Sequence, residues 1–282
     1  MLDTPLEKLS LVAFDLETTG LTLAADRVVE IGAVRFSLAA HEPSTFSMLV
    51  NPHLQMKPEI IAIHHISQDM ADAALPAKQV LPQFIAWLQE KETLPVMIAH
   101  HAAFDISFLM QEARRVDIEL PELYVIDTFP LARQCFPGLP SYSLQNLLTT
   151  LELPTNSNAH RALPDAVACQ MLFQACVLKH QLGKLSLGDF YQKYPRTRLS
   201  THETPAETEV FAALQRAILK QKDVEITYLN SRKKKNTRSI TPQLLGGYGS
   251  EQYVDAYCHL RKTRRRFYLK RIVEYKIGLI KS

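Results

Sequence analysis

The chain has 282 residues, 46% hydrophobic and 22% charged, a balance that buries a sizeable core and fits one large domain plus one small one. It holds no apolar run of the roughly 18 residues a membrane span needs, and its N-terminus, MLDTPLEKLS, carries acids where a secretion signal would carry bases. Those features exclude a membrane partner and predict a cytoplasmic protein. The net charge of +3 conceals an asymmetry: residues 1–208 carry 15 Lys and Arg against 23 Asp and Glu, whereas residues 209–282 carry 17 against 6.

In chain order, LSLVAFDLETTG opens with a short apolar run bounded by Gly20, the pattern of a buried strand. VVEIGAVRFSL (28–38) and TFSMLV (45–50) read as further strands, rich in β-branched and aromatic residues. Val80, Leu81, Phe84, Ile85 and Leu88 recur at helical spacing over 78–89. A strand at 95–100, a helix at 104–115, a strand at 124–127 and helices at 143–151 and 164–178 follow. Strands first, then strands alternating with helices, indicate an α/β layer fold with a mixed sheet. The domain boundaries expected are 1–182 for the large domain, 183–208 for a Pro, Ser and Thr-containing linker, with a short helix at 184–194, and 209–282 for a β-rich module introduced by a helix at 209–221. Cys135, Cys169, Cys176 and Cys258 lack CxxC spacing, so they read as small buried apolar residues and not as a zinc site or a disulfide framework.

Asp15 and Glu17 stand two apart on a strand and so share one face of the sheet. Two carboxylates at the end of an apolar strand repel each other, and divalent cations with oxygen ligands relieve that repulsion. Alone, such a pair also suits two solvent-facing acids at a strand edge. Asp105, in the first turn of a helix just past a strand, and Asp165, in the first turn of another, add two more acids, and His160 enters that second helix five residues earlier. An imidazole titrates near pH 6.5 and can take a proton from water close to neutrality.

VAFDLETTGL, VVEIGAV, AHHAAFDISFL and HRALPDAVACQMLF resemble, in order and spacing, the three motifs of the DEDDh 3′–5′ exonucleases, the family that includes the proofreading epsilon subunit of bacterial DNA polymerase III. IDTFPLARQCFP and SYSLQNLLTTLEL match as well, and the likeness covers about 8–178. It implies an RNase H-like mixed five-stranded sheet flanked by helices. It also implies two Mg²⁺ or Mn²⁺ ions, with Asp15, Glu17 and Asp165 on the first and Asp15 reaching the second. By the same resemblance Asp105 acts through water or the second ion, and His160 deprotonates the attacking water. Thr18, Leu21, His64 and Phe104 match positions that contact the terminal nucleotides, although Leu21 and Phe104 also suit ordinary core or loop roles. Two departures bear on substrate contacts. His64-His65-Ile66 stands where the family has HGI, and His101 stands where it has Asn, so His101 joins the substrate-binding set. Pro164 is also unusual for the family.

Residues 209–277 resemble a WYL domain, a small Sm/SH3-like β-barrel associated with nucleic acid or anionic ligands, with Gln252-Tyr253-Val254 at the naming tripeptide and Lys270 in place of an Asp. The resemblance places Arg238, Tyr253, Arg261 and Arg271 at its pocket. The runs 232–235 and 261–266, the second including Arg264, Arg265 and Arg266, supply positive field for phosphates, and equally suit solvated hairpin turns.

The function expected is metal-dependent hydrolysis of phosphodiester bonds at the 3′ end of nucleic acid, single-stranded DNA first and RNA second, with the basic module as tether or ligand sensor. The alternatives are a proofreading subunit with a DNA polymerase or repair partner, and a regulatory sensor on a nuclease scaffold.

Overall fold

The computed structural model describes the chain except residues 22, 24, 40–42, 92, 155–159, 201–208, 221, 231–232, 247–251 and 279–282, and except the side chains of 200, 219, 244, 246 and 264. It divides into two compact units, Met1–Thr19 with Arg27–His202, and Gly20–Asp26 with Glu203–Ser282.

The first unit is built on a mixed six-stranded sheet. Its elements in order are β1 (Leu11–Thr18), β2 (Val28–Phe36), β3 (Ser44–Leu49), α1 (Pro58–His64), α2 (Gln68–Asp72), α3 (Ala77–Leu88), β4 (Val96–Ala99), α4 (Ala103–Arg115), β5 (Tyr124–Asp127), α5 (Thr128–Cys135), α6 (Leu144–Thr150), α7 (Ala162–His180), α8 (Leu187–Lys193) and β6 (Arg198–Ser200). The strands lie in the order β3-β2-β1-β4-β5-β6, with β1, β4 and β5 parallel and the other pairings antiparallel. The α/β layer fold and its mixed sheet are those expected, with one strand added. That sixth strand comes from the segment read as linker. Leu182, Leu187, Phe190, Tyr191 and Tyr194 are buried in the core beside α7, and Arg198 to Ser200 pair with β5. The sequence from 183 to 200 is therefore part of the first unit, and the remainder of the expected linker, 201–208, lies outside the described residues.

Alternation along β1 sends Leu11, Ala13, Asp15 and Glu17 to one face, and the antiparallel register with β2 sets Gly32 opposite Asp15 and Glu30 opposite Glu17. Helix α7 covers that face, packing Ala166, Cys169, Phe173 and Cys176 on Leu11, Ala13, Val34 and Phe36. Gly32 is what allows its close approach: a Cβ there would lie 2.1 Å from the Leu163 backbone nitrogen and 2.2 Å from the Ala162 carbonyl carbon. On β3 and α3, the rings of Phe46, Phe84 and Trp87 form a cluster with centroids 5.1–6.2 Å apart. All four cysteines are buried and unpaired as disulfides. Among the described residues no helix is long and apolar enough to cross a membrane.

The second unit contains α9 (Glu209–Leu219) and β7 (Val224–Leu229), β8 (Lys235–Gly246), β9 (Tyr253–Cys258), β10 (Thr263–Tyr268) and β11 (Ile272–Ile277). The expected small β-module is a five-stranded antiparallel sheet in the order β10-β9-β8-β7-β11. Leu214, Ala217 and Ile218 of α9 pack on Val224, Ile226, Ile240, Val254 and Phe267.

Candidate active site

Parallel β1, β4 and β5 end side by side, and the acids singled out in the sequence gather at that end of the first unit. Oxygens of Asp15, Glu17 and Asp165 all lie within 4.8 Å of one another. Asp15 and Glu17 come from the end of β1, where the register with β2 shifts between Glu17 and Thr18, a bulge of the kind found beside active sites. Asp165 comes from the first turn of α7, with Oδ1 accepting from Gln145 Nε2 at 2.9 Å and Oδ2 from the His160 backbone N–H at 3.0 Å. Asp105, in the first turn of α4, is 3% exposed and accepts from the Leu16 backbone N–H at 3.1 Å. The His160 side chain is exposed, and its backbone takes a left-handed φ of 63°.

Burial dominates the electrostatics. Burial, reinforced by Asp105, Glu17, Asp165 and Glu30, holds the Asp15 carboxyl well above the usual carboxylate range. Burial, then Asp165 and Glu30, pushes Glu17 up to about 8, against an opposing pull from Arg161. Asp105 and Asp165 are also raised by burial, each moderated by the hydrogen bonds its carboxylate accepts. Convergent carboxylates whose hold on a proton is strengthened by burial suit a hard divalent cation, whose charge would take the place of the protons.

Among the expected substrate residues, Thr18 and His64 are buried. His64 Nδ1 accepts from the Ile66 N–H at 3.0 Å, so its proton sits on Nε2, a buried donor with no partner among the described residues. Its neighbour His65, at the family's Gly position, has φ of 58°, the left-handed backbone for which Gly is suited. His101 likewise has φ of 66° where the family carries Asn, and its ring stacks on Phe129 with centroids 3.9 Å apart. Asp127 Oδ1 accepts from both the His101 and Phe129 backbone N–H groups, at 3.0 and 2.9 Å, a structural use of that carboxylate. Phe104 is half-buried against Phe108, and Leu21 is exposed in the segment grouped with the second unit.

Two residues of this centre, Glu30 and Gln145, carry no role in the sequence reading. Glu30, 2% exposed, accepts from Arg161 Nε and Nη2 and from the Ala162 backbone N–H. A lone acid inside the otherwise apolar run VVEIGAV was the available signal for it.

In the second unit, the Arg266 guanidinium lies 3.5 Å from the Tyr253 ring centroid and is bound at 2.9 and 2.7 Å to Asp255. Arg266 is thus engaged inside the unit, whereas Arg261 and Arg265 are exposed, and the Arg264 side chain and Arg232 lie outside the described residues. Arg238 is half-buried, with Nη1 3.9 Å from Cys258 Sγ, and Arg271 lies 5.8 Å from the Tyr268 ring.

Residues 12–173, which contain all five acid and imidazole positions, match the family model described as exonuclease of the RNase T type. The chain belongs to that exonuclease family. Residues 209–277 match the WYL domain model. The expected enzyme class, a 3′–5′ exonuclease hydrolysing phosphodiester bonds, stands with this membership. The exonuclease part is 35% identical over 176 residues to DNA polymerase III subunit epsilon of Treponema pallidum, covering 62% of this chain and 79% of that protein. It is 34% identical over 157 residues to the PolC-type DNA polymerase III of Oceanobacillus iheyensis, covering 56% of this chain and 11% of that much longer one. In fold it is like the nuclease domain of 3′hExo, a DEDDh family member solved with rAMP, at 18% identity and a TM-score of 0.52 over 62% of this chain and 94% of that one. Exonucleases of this family depend on metal, and the acidic cluster offers the oxygen ligands they need.

Proposed function

We propose that the chain is a DEDDh-type exonuclease that removes nucleotides from the 3′ end of single-stranded DNA. The observation that carries this reading is the convergence of Asp15, Glu17 and Asp165 within 4.8 Å of one another, at a place where burial raises the pKa of each. Asp15, Glu17 and Asp165 would hold one Mg²⁺ or Mn²⁺ and Asp15 would reach a second. When bound, such ions neutralise the cluster and stabilise charge on the scissile phosphate and the leaving oxygen. His160 takes the proton of the attacking water, and the bond from its backbone N–H to Asp165 Oδ2 ties the residue to the acid cluster. Asp105, anchored on Leu16, closes the cluster from the α4 side. The unpartnered His64 Nε2–H suits an oxygen of the terminal nucleotide. Thr18, Leu21, His101 and Phe104 would complete the nucleotide contacts, Leu21 and Phe104 by packing on base faces without regard to sequence.

The basic second unit serves as the nucleic-acid tether, through Arg261, Arg264 and Arg265, while Arg266 holds Tyr253 and Asp255 together. Arg238, Tyr253, Arg261 and Arg271 would line its pocket, a reading supported by the match of residues 209–277 to the WYL model. A second reading, a proofreading subunit of a polymerase, is favoured by the 35% identity to the epsilon subunit.

The test is digestion of a 5′-labelled single-stranded oligonucleotide with Mg²⁺, with EDTA, and with Asp15→Ala as control. A ladder of shortened labelled products in Mg²⁺, absent in both controls, is expected. Release of labelled mononucleotide at the outset would reverse the polarity, and a product unaffected by Asp15→Ala would remove the cluster from catalysis.

A further inference from the structure

We propose that the buried Glu30–Arg161 ion pair is a positioning device for the catalytic loop: it seats the segment that carries His160 and Asp165 against the sheet. The inference rests on the reading of His160 as the base.

Glu30 stands opposite Glu17 on the paired strands and on the same face, so it adds a further carboxylate to a cluster already short of positive charge. Its oxygens are committed elsewhere. Arg161 Nε donates to Oε2 at 2.9 Å, Arg161 Nη2 donates to Oε1 at 2.6 Å, and the Ala162 backbone N–H donates to Oε2 at 2.9 Å. One carboxylate therefore grips two consecutive residues at the start of α7, satisfying one of the helix's free N–H groups while a planar guanidinium fork fixes the residue before it. Both neighbours of this grip matter to the chemistry. His160 immediately precedes Arg161, and the Asp165 backbone N–H donates to the Arg161 carbonyl at 3.0 Å. His160 returns a backbone bond to Asp165 Oδ2, closing a loop in which the base, the arginine and the metal-ligand candidate are tied to one another. Without Glu30 that loop keeps its internal bonds but loses its side-chain hydrogen bonds to β2. The close approach at Gly32 fixes how near α7 comes to the sheet, and Glu30 fixes where along the strand its first turn sits.

Glu30→Gln removes the ion pair while leaving an oxygen for Ala162. Arg161→Lys keeps the charge and loses the fork.

The experiment compares the full-length wild type with Glu30→Gln, Arg161→Lys, His160→Ala and Glu30→Gln/His160→Ala. Steady-state digestion of single-stranded DNA gives kcat and KM, and ¹H–¹³C NMR of the metal-free proteins follows the His160 ring, assigned by its loss in His160→Ala. A displacement of about 1 Å at a reacting group can cost on the order of 10²-fold. Glu30→Gln should accordingly lower kcat by roughly that factor with little change in KM, and should shift or broaden the His160 ring signal. Because part of its effect runs through His160, it should cost less in the His160→Ala background than in the wild type. Arg161→Lys should fall between wild type and Glu30→Gln in both readouts, and it serves in place of Glu30→Gln should that variant not fold. An unshifted His160 signal with wild-type kcat would overturn the proposal, as would losses from Glu30→Gln and His160→Ala that multiply. A wild type that degrades no nucleic acid would defeat the exonuclease reading instead, and the NMR comparison would still decide whether Glu30 positions the loop.

Discussion

The ionisation of Glu17 links the site to the stability of the whole first unit. A carboxyl whose pKa is higher folded than unfolded stabilises the fold below its unfolded value, and that contribution is lost as pH rises through the folded value. For Glu17 the window runs from 4.5, its ordinary value, to about 8. Asp15, Asp105 and Asp165 are raised as well and add in the same direction. In EDTA the melting temperature should therefore fall as pH is raised from 4.5 to 8. Glu17→Gln should flatten part of that fall, and Mg²⁺ should remove most of it, because the cation takes the place of the protons. Thermal denaturation across that pH range checks this; an identical slope for wild type and Glu17→Gln would show that Glu17 is not strained by its surroundings. At this scale most of the acids were legible in the sequence because strand and helix positions aim them predictably. Glu30 and Gln145 were not, since their partners, Arg161 and Asp165, lie 131 and 20 residues away and only the packed fold brings them together.

At the level of elements, the join between α7 and β2 governs the site. A methyl group at Gly32 meets backbone atoms of Ala162 and Leu163 at 2.1–2.2 Å, so α7 must shift to admit it. Gly32→Ala should destabilise the protein by about 1–3 kcal/mol, the usual cost of overpacking a core, and should lower kcat more than its stability loss explains. Urea denaturation and digestion of one preparation measure both; full activity with wild-type stability would show that the helix can retreat without moving Asp165. The longer strands and helices were legible because their apolar periodicity spans several turns. Helices α1 and α2, of seven and five residues, are too short to show a period, and α5 carries Pro130 in its first turn, where the sequence pattern breaks although the position tolerates it. Strand β6, three residues long, exists only through its pairing with β5, which is why its segment reads as linker.

Across the whole molecule, charge is divided between the two matched regions. Residues 1–208 are net negative and repel phosphates away from any bound cation, so affinity for long strands should come from residues 209–282. Removing one cation that neutralises a phosphate flattens the dependence of log K on log salt by roughly 0.7 for a single strand. The full-length triple substitution Lys233→Ala, Arg261→Ala, Arg265→Ala, at exposed positions, should therefore reduce the slope by about 2 while hydrolysis of a short thymidine phosphodiester stays near wild type. An unchanged slope in a salt titration of fluorescent oligonucleotide binding would assign the basic unit to another ligand and strengthen the polymerase-partner reading. Arg266 behaves differently in this respect, since its bonds to Asp255 make it part of the fold, a use that a run of five basic residues in six does not reveal.

The central claim is that Asp15, Glu17 and Asp165 together form a cation site, and anomalous diffraction from crystals soaked in Mn²⁺ tests it most directly. The expected result is a strong anomalous peak within about 2.0–2.6 Å of oxygens from all three carboxylates, the range of hard-cation oxygen ligation, and its loss in Asp15→Ala. Well-ordered carboxylates with no peak between them at saturating Mn²⁺, or a peak that persists in Asp15→Ala, would contradict it.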